Sequence, residues 1–257
     1  MSVSVGAVRT HEFARGLQLD VHPAPGETQG AVVYLHGGGF VSGERSMDRQ
    51  RVRALAAHGV TVVVPDYRLA PAARFPDQVD DVCDAVDWVR RHLDELGVPG
   101  DRVGLWGASA GAVLAALAAL SGRVAAAAVV SWFGFSDIAT CFSRSPLERA
   151  LLPPRGPAHA LLGVDDLVAV PDLVRDASPV DHVHAEAPPF LIAHGDRDHL
   201  VDIGESRRLH EALTRAGARS TLLVLGGAGH EDPAFDEPST IAVTAAFLRS
   251  HLHPATT

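Results

Sequence analysis

Residues far apart in this chain have the types needed to split an ester or amide bond together. Ser109 lies in Gly107-Ala-Ser-Ala-Gly111, between an apolar run ending at Trp106 and an alanine-rich stretch. A serine held out on so sharp a strand-to-helix turn needs tiny neighbours, and here they are Gly, Ala, Ala and Gly. A helix starting there directs its N-terminal dipole at the hydroxyl, which favours negative charge as it develops. By itself Gly-x-Ser-x-Gly is an ordinary small-residue turn, so its weight comes from what accompanies it. His36-Gly-Gly-Gly-Phe40 follows an earlier strand, where glycines let backbone N–H groups approach an oxyanion. His194-Gly-Asp-Arg-Asp198 follows a late strand and supplies an acid, Asp198, with Asp196 as the fallback. Gly229-His230-Glu231 follows the last strand and supplies a base. The chain order Ser109, Asp198, His230 matches one class of serine triad, and the other major classes run in different orders.

The elements that must position these residues alternate. Strands are expected at 31–35, 60–64, 103–106, 124–133, 190–193 and 221–225, and helices at 47–58, 77–96 and 109–120. In the helix at 77–96, Val79, Val82, Cys83, Val86, Val89, Leu93 and Leu96 share one face, which makes Cys83 a small buried hydrophobe. Strands alternating with helices imply an α/β chain: a mostly parallel sheet with helices on both faces. Residues 8–22 suit an antiparallel hairpin at its edge. The proline- and leucine-rich stretch 135–189 falls between two core strands and reads as a small cap insertion above the sheet. The whole chain, 1–257, reads as one domain.

Composition removes other classes. The 257 residues are 47% hydrophobic and 21% charged, an ordinary globular balance. The net charge of −9 speaks against nucleic acid or an anionic membrane surface as partner. All 22 basic residues are arginine, so no lysine is available for a Schiff base or a phosphate-binding P-loop. Two cysteines, Cys83 and Cys141, make no disulfide framework. The N-terminal residues lack the pattern of a signal peptide, and the longest apolar run, 112–120, is too short to span a bilayer. The expectation is a soluble, cytoplasmic protein.

The sequence resembles the α/β-hydrolase superfamily, within it the esterase/lipase group that includes hormone-sensitive-lipase-like and small bacterial carboxylesterases. The resemblance spans residues 30–252. It rests on Tyr34-Leu-His-Gly-Gly-Gly-Phe40, Asp66-Tyr-Arg-Leu-Ala-Pro71, Phe75-Pro76, Asp80-Asp81, Trp88-Val89, Gly107-Ala-Ser-Ala-Gly111, Pro188-Pro-Phe-Leu191, His194-Gly-Asp-Arg-Asp198 and Gly229-His230. It implies an α/β-hydrolase fold with Ser109 as nucleophile, His230 as general base and acid, and Asp198 as the orienting carboxylate. It implies an oxyanion hole from Gly38, Gly39 and the N–H of Ala110, with His36 holding that loop rather than reacting. A homodimer through the last strand and helix is also implied. Two features depart from lipase-like members: only 35 residues precede His36, and the acid does not sit in an Asp-Pro-Leu-x-Asp run.

The expected reaction is hydrolysis of small to medium carboxylic esters through an acyl-enzyme, with no cofactor and no metal. A histidine base implies activity that rises through neutral pH. Amide or formamide cleavage, or acyl transfer and lactone formation, could use the same triad. A non-catalytic small-molecule binding protein on the hydrolase fold is the reading from another class, disfavoured because no triad position is damaged. Phe40, Trp132 and Phe133 are the expected pocket wall. Leu147, Leu151, Leu152, Leu161, Leu162 and Leu167 could line an acyl pocket or pack the insertion, packing being the default. The clusters His194-x-Asp196-x-Asp198-His199 and Asp181-His-Val-His184 read as surface or structural residues rather than metal sites. Asp66-Tyr-Arg68 should fix a loop through ion pairs and hydrogen bonds.

Overall fold

A computed structural model describes residues 6–142 and 156–252. Eight strands form one sheet: β1 (Arg9–Ala14), β2 (Leu17–His22), β3 (Ala31–Leu35), β4 (Thr61–Pro65), β5 (Val103–Ala108), β6 (Val129–Trp132), β7 (Phe190–Gly195) and β8 (Ser220–Leu225). Their spatial order is β1-β2-β4-β3-β5-β6-β7-β8. β1 and β2 make the expected hairpin, β2 runs antiparallel to β4, and every later pairing is parallel.

Strand side chains alternate, and both faces are buried. Val33 and Leu35 of β3 join Val103 and Leu105 of β5 on one face, covered by α2 (Asp77–Arg91) and α3 (Ala110–Leu120). Val32 and Tyr34 join Trp106, Val130 and Trp132 on the other, covered by α1 (Arg49–Ala56) and α8 (Pro238–Leu252). Between β6 and β7 lie α4 (Ile138–Cys141), α5 (Pro157–Leu162) and α6 (Pro171–Asp176), and α7 (Ile203–Arg215) links β7 to β8.

Several element boundaries differ from the sequence reading. α2 stops at Arg91 because His92 Nδ1 lies 2.7 Å from the Trp88 carbonyl oxygen. That is the acceptor the next backbone N–H would need, and the imidazole stacks on the Trp88 ring at 4.1 Å. β6 begins at Val129 rather than 124, because alanines 125–128 favour a strand poorly. α1 spans Arg49–Ala56, shorter at both ends than 47–58.

The register brings the carboxyl ends of the parallel strands level: Leu35 pairs Gly107, Ala108 pairs Trp132, Trp132 pairs Ala193 and Gly195 pairs Leu225. The loops after β3, β5, β6, β7 and β8 therefore leave from one edge. From β3 the chain goes first to β4 on one side and later to β5 on the other. The loops that follow β3 and β5 diverge there, at the crevice where open α/β sheets bind ligands.

Candidate active site

Ser109 occupies the turn between β5 and α3 with φ of 51° and ψ of −119°. That left-handed backbone is costly for a residue with a Cβ and is kept where the surroundings enforce it. Its N–H donates to the Trp132 carbonyl at 2.9 Å. The flanking glycines have distinct reasons. A Cβ on Gly107 would overlap the backbone of Gly111, and one on Gly111 would overlap the Leu35 carbonyl oxygen. Without them α3 could not start so close to β3 and β5.

His230 Nε2 lies 3.0 Å from Ser109 Oγ, and His230 Nδ1 lies 2.7 Å from Asp198 Oδ2. An ionised carboxylate only accepts, so Nδ1 carries the proton and Nε2 is left to accept from the serine hydroxyl. Asp198 Oδ1 accepts the N–H groups of Leu200 and Val201, both at 2.9 Å. Burial pushes the Asp198 pKa up, but hydrogen bonds from His194, His230, Val201 and Leu200 outweigh it and hold the group well below the usual carboxylate range. Asp196 is an exposed residue whose Oδ1 accepts the Gly227 N–H at 2.6 Å, so the acid next to His230 is Asp198.

Behind Asp198 stands a group that the motifs contained but whose role they did not reveal. His194, fully buried, places Nε2 3.1 Å from Asp198 Oδ2 and 2.9 Å from the Val201 carbonyl oxygen. Two acceptors on one nitrogen fix a proton there, leaving Nδ1 to accept from Ser206 Oγ at 2.6 Å. Ser206 lies in the first turn of α7. Its neighbour Glu205, also buried, accepts the N–H groups of Ser136 and Asp137 at 2.9 Å. One helical turn thus holds both the acid and the loop that carries Phe135.

The loop after β3 is fixed by stacking and charge. The His36 ring stacks on Tyr67 at 4.4 Å, His36 Nδ1–H donates to the Gly37 carbonyl at 2.6 Å, and Tyr67 Oη–H donates to the His36 carbonyl at 3.0 Å. Arg45 pairs with Asp66, and Arg68 Nε with the buried Asp81 at 2.8 Å. The Asp66-Tyr-Arg68 segment fixes this region through ion pairs and hydrogen bonds, as expected. Gly38 and Gly39 have φ of 115° and 62°, which favour glycine. No hydrogen bond leaves the N–H of Gly38, Gly39 or Ala110 among the described residues.

A cavity of about 260 Å³ opens at this point, and Gly38, Gly39, Phe40, Ser109, Ala110 and His230 line it. Phe40 lines it; Trp132 and Phe133, expected in the wall, do not. Trp132 ends β6 on the α1/α8 face, edge-on to Trp106 at 4.9 Å, with the Arg51 guanidinium over its ring. Phe133, at φ of 41°, turns its ring against His230 at 4.8 Å and backs the imidazole instead of facing the cavity. The aromatic wall is completed by Phe135 and Phe142, and the rest by Pro157, Leu200, Val201 and Glu231. Leu161 and Leu162 pack in the core and Leu167 against it. Leu147, Leu151 and Leu152 lie outside the described residues. Cys141, half-buried, has its thiol pushed up to about 12 by burial, and Cys83, buried, to about 11 for the same reason.

Comparison with known proteins places the chain in a family. The BD-FAE family profile matches residues 19–213. The chain belongs to the BD-FAE family. It is an α/β-hydrolase of the esterase/lipase group. Esterase LipC of Mycobacterium tuberculosis is 33% identical over 84% of this chain and 55% of its own length. The chain spans about half the length of the first curated relatives it matches. The Pyrobaculum calidifontis esterase superposes with a TM-score of 0.78 at 29% identity, covering 97% of this chain and 86% of its own. A truncated carbohydrate esterase from gut microbiota, at 22% identity and 98% coverage of both chains, has a TM-score of 0.86 and shares the fold. No helix among the described residues of this BD-FAE chain is long and apolar enough to cross a membrane.

Proposed function

We propose that the chain is a serine carboxylesterase that cleaves small to medium esters through an acyl-enzyme. One observation carries this reading: Ser109 Oγ, His230 and Asp198 form a continuous hydrogen-bonded series, 3.0 and 2.7 Å per link, whose Ser109 and His230 end opens on a cavity that Gly38 and Gly39 also line. Ser109 Oγ attacks the carbonyl carbon as its proton passes to His230 Nε2, and Asp198 stabilises the imidazolium. The N–H groups of Gly38, Gly39 and Ala110 receive the oxyanion, at the N-terminus of α3. One such donor is worth about 3–4 kcal/mol in comparable enzymes. The intermediate collapses, His230 protonates the departing alcohol, and water activated by the same imidazole releases the acid. This cycle calls on no cofactor or metal.

A cavity of about 260 Å³ is at the lower edge of the roughly 300–1,000 Å³ usual for ligand sites, which favours short acyl groups. We read residues 135–189 as a small cap on a single domain, supported by Phe142 and Pro157 in the cavity wall. The free thiols suit a reducing, cytoplasmic compartment. The outer edge of β8, beside exposed Val224, suits a homodimer contact.

The test is hydrolysis of p-nitrophenyl esters from acetate to decanoate by the native protein and by Ser109→Ala. Activity that peaks at short chains and vanishes in the variant supports the reading. Activity that survives the substitution overturns the role of Ser109. A folded native protein inert on the whole series points to a narrow acyl-transfer enzyme or a binding protein.

A further inference from the structure

Glu231 stands out on the cavity wall. It is the sole carboxylate among the described residues there, in a lining that is otherwise glycine, alanine, aromatic and aliphatic apart from Ser109 and His230. Its φ is 53°, a left-handed backbone that glycine would adopt without cost, yet the position holds a charged side chain. That turn folds the carboxylate back over the oxyanion loop. A Cβ on Gly37 would lie 2.9 Å from Glu231 Oε1 and 3.4 Å from Ser109 Cβ, so the carboxylate reaches close to the nucleophile. Glu231 makes no hydrogen bond or ion pair with any described residue. An ionised carboxylate only accepts hydrogen bonds, so its partner must be water or something that enters the cavity.

The chemistry says which part of the substrate that is. His230 must deliver a proton to the departing oxygen, so the alcohol portion of the ester lies beside the imidazole. Glu231 is the next residue and exposed at the mouth, so it faces the alcohol rather than the acyl group. We propose that Glu231 is a specificity-determining residue that selects esters whose alcohol carries an ammonium or a free hydroxyl and disfavours alcohols carrying a carboxylate. An ammonium pairs with the carboxylate by charge and a hydroxyl donates a hydrogen bond to it, while a negative charge at the same point is repelled and loses its solvation. This rests on the ester-hydrolase reading of Ser109.

The experiment compares kcat/KM for three matched pairs of acetate esters, using the native protein, Glu231→Gln and Glu231→Gly. The pairs are acetylcholine with its uncharged carbon analogue 3,3-dimethylbutyl acetate, ethylene glycol monoacetate with propyl acetate, and the acetate ester of glycolate with propyl acetate. The native protein is expected to prefer acetylcholine and to disfavour the glycolate ester by about fivefold or more each, the size expected of a charge near the surface. Glu231→Gln should bring both ratios to within about twofold of unity. Glu231→Gly, which suits the left-handed backbone, should do the same and also erase any preference for the glycol ester. A response in the choline pair alone assigns the subsite to an ammonium, and one in the glycol pair alone to a hydroxyl. Native ratios near unity, or ratios unchanged by both substitutions, overturn the proposal. p-Nitrophenyl acetate serves as the separate control: its turnover must be present in the native protein and absent in Ser109→Ala. Failure there overturns the hydrolase reading itself and this proposal with it.

Discussion

His194 and His230 converge on one carboxylate oxygen, Asp198 Oδ2, at 3.1 and 2.7 Å. Only His230 reaches the serine. His194 is anchored by Ser206 and the Val201 carbonyl, so it orients the carboxylate without touching the reacting atoms.

His194→Ala removes a hydrogen bond to a charged group, worth about 1.5–3 kcal/mol. The expected result is a fall in kcat of about tenfold to a hundredfold with little change in KM. Asp198 also loses a donor that lowers its pKa, so the pH at which its contribution to folding stability is lost, read by urea unfolding, should move upward. His194→Gln, whose amide can donate toward the same oxygen, should recover part of both effects. A stability-against-pH profile that does not move would leave His194 as packing alone.

Asp198 links the site to acid stability. Its folded pKa is depressed, so its contribution is fully present above the unfolded value of about 3.9 and is lost as pH falls through the lower folded value. Asp198→Asn should lower kcat by about 10⁴-fold, as loss of a triad acid does elsewhere. It should also reduce stability at neutral pH. Urea unfolding of native and variant should give a stability gap that narrows steadily below about pH 4. A gap constant with pH would contradict the hydrogen-bonded carboxylate.

Much of this arrangement was legible in the sequence because it is local. Gly107 to Gly111, the glycines after His36 and the strand ends before Asp198 and His230 each declare their geometry within a few residues. The parallel sheet follows from the alternation of runs, and the edge hairpin from residues 8–22. The pocket wall was not legible. Trp132 and Phe133 were expected in it, but strand alternation turns Trp132 to the far face, and a left-handed φ turns Phe133 behind His230. Phe135 and Phe142 reach the cavity through a loop whose path is set by Glu205, some 70 residues on. His194 and Ser206 meet across a strand-to-helix connection, and no spacing rule signals that pairing. Glu231 was in the His230 motif, but only the backbone angle aims it.

The two kinds of glycine at the sheet edge can be told apart by substitution. Gly111→Ala drives a methyl group into the Leu35 carbonyl oxygen, backbone against backbone, with no side chain able to give way. It should cost about 3 kcal/mol or more, lowering Tm by about 6 °C or more, and abolish activity by shifting Ser109. Gly226→Ala meets nothing within 4 Å and has no left-handed backbone, so its stability should stay within about 0.5 kcal/mol of native. Calorimetry on the pair checks both; equal losses would contradict the close approach of α3 to β3.

Buried histidines should make the fold acid-sensitive well above the carboxylate range. His22 and His36 are almost fully buried, and burial lowers the pKa of each. A histidine with a depressed folded pKa is neutral in the fold while the unfolded chain, at about 6.5, already takes up a proton. Through the window from about 6.5 down to the folded values, the unfolded state binds more protons, so stability falls as pH falls. Each group contributes at most about 1.4 kcal/mol per pH unit in that window and nothing further below it. Urea midpoints at pH 7.5, 6.5 and 5.5 should decline in that order. His22→Gln, which removes the titrating group far from Ser109, should flatten the decline between the last two. An unchanged slope in that variant would mean His22 is protonated in the fold and paired with Asp20, which lies close enough to oppose the burial effect.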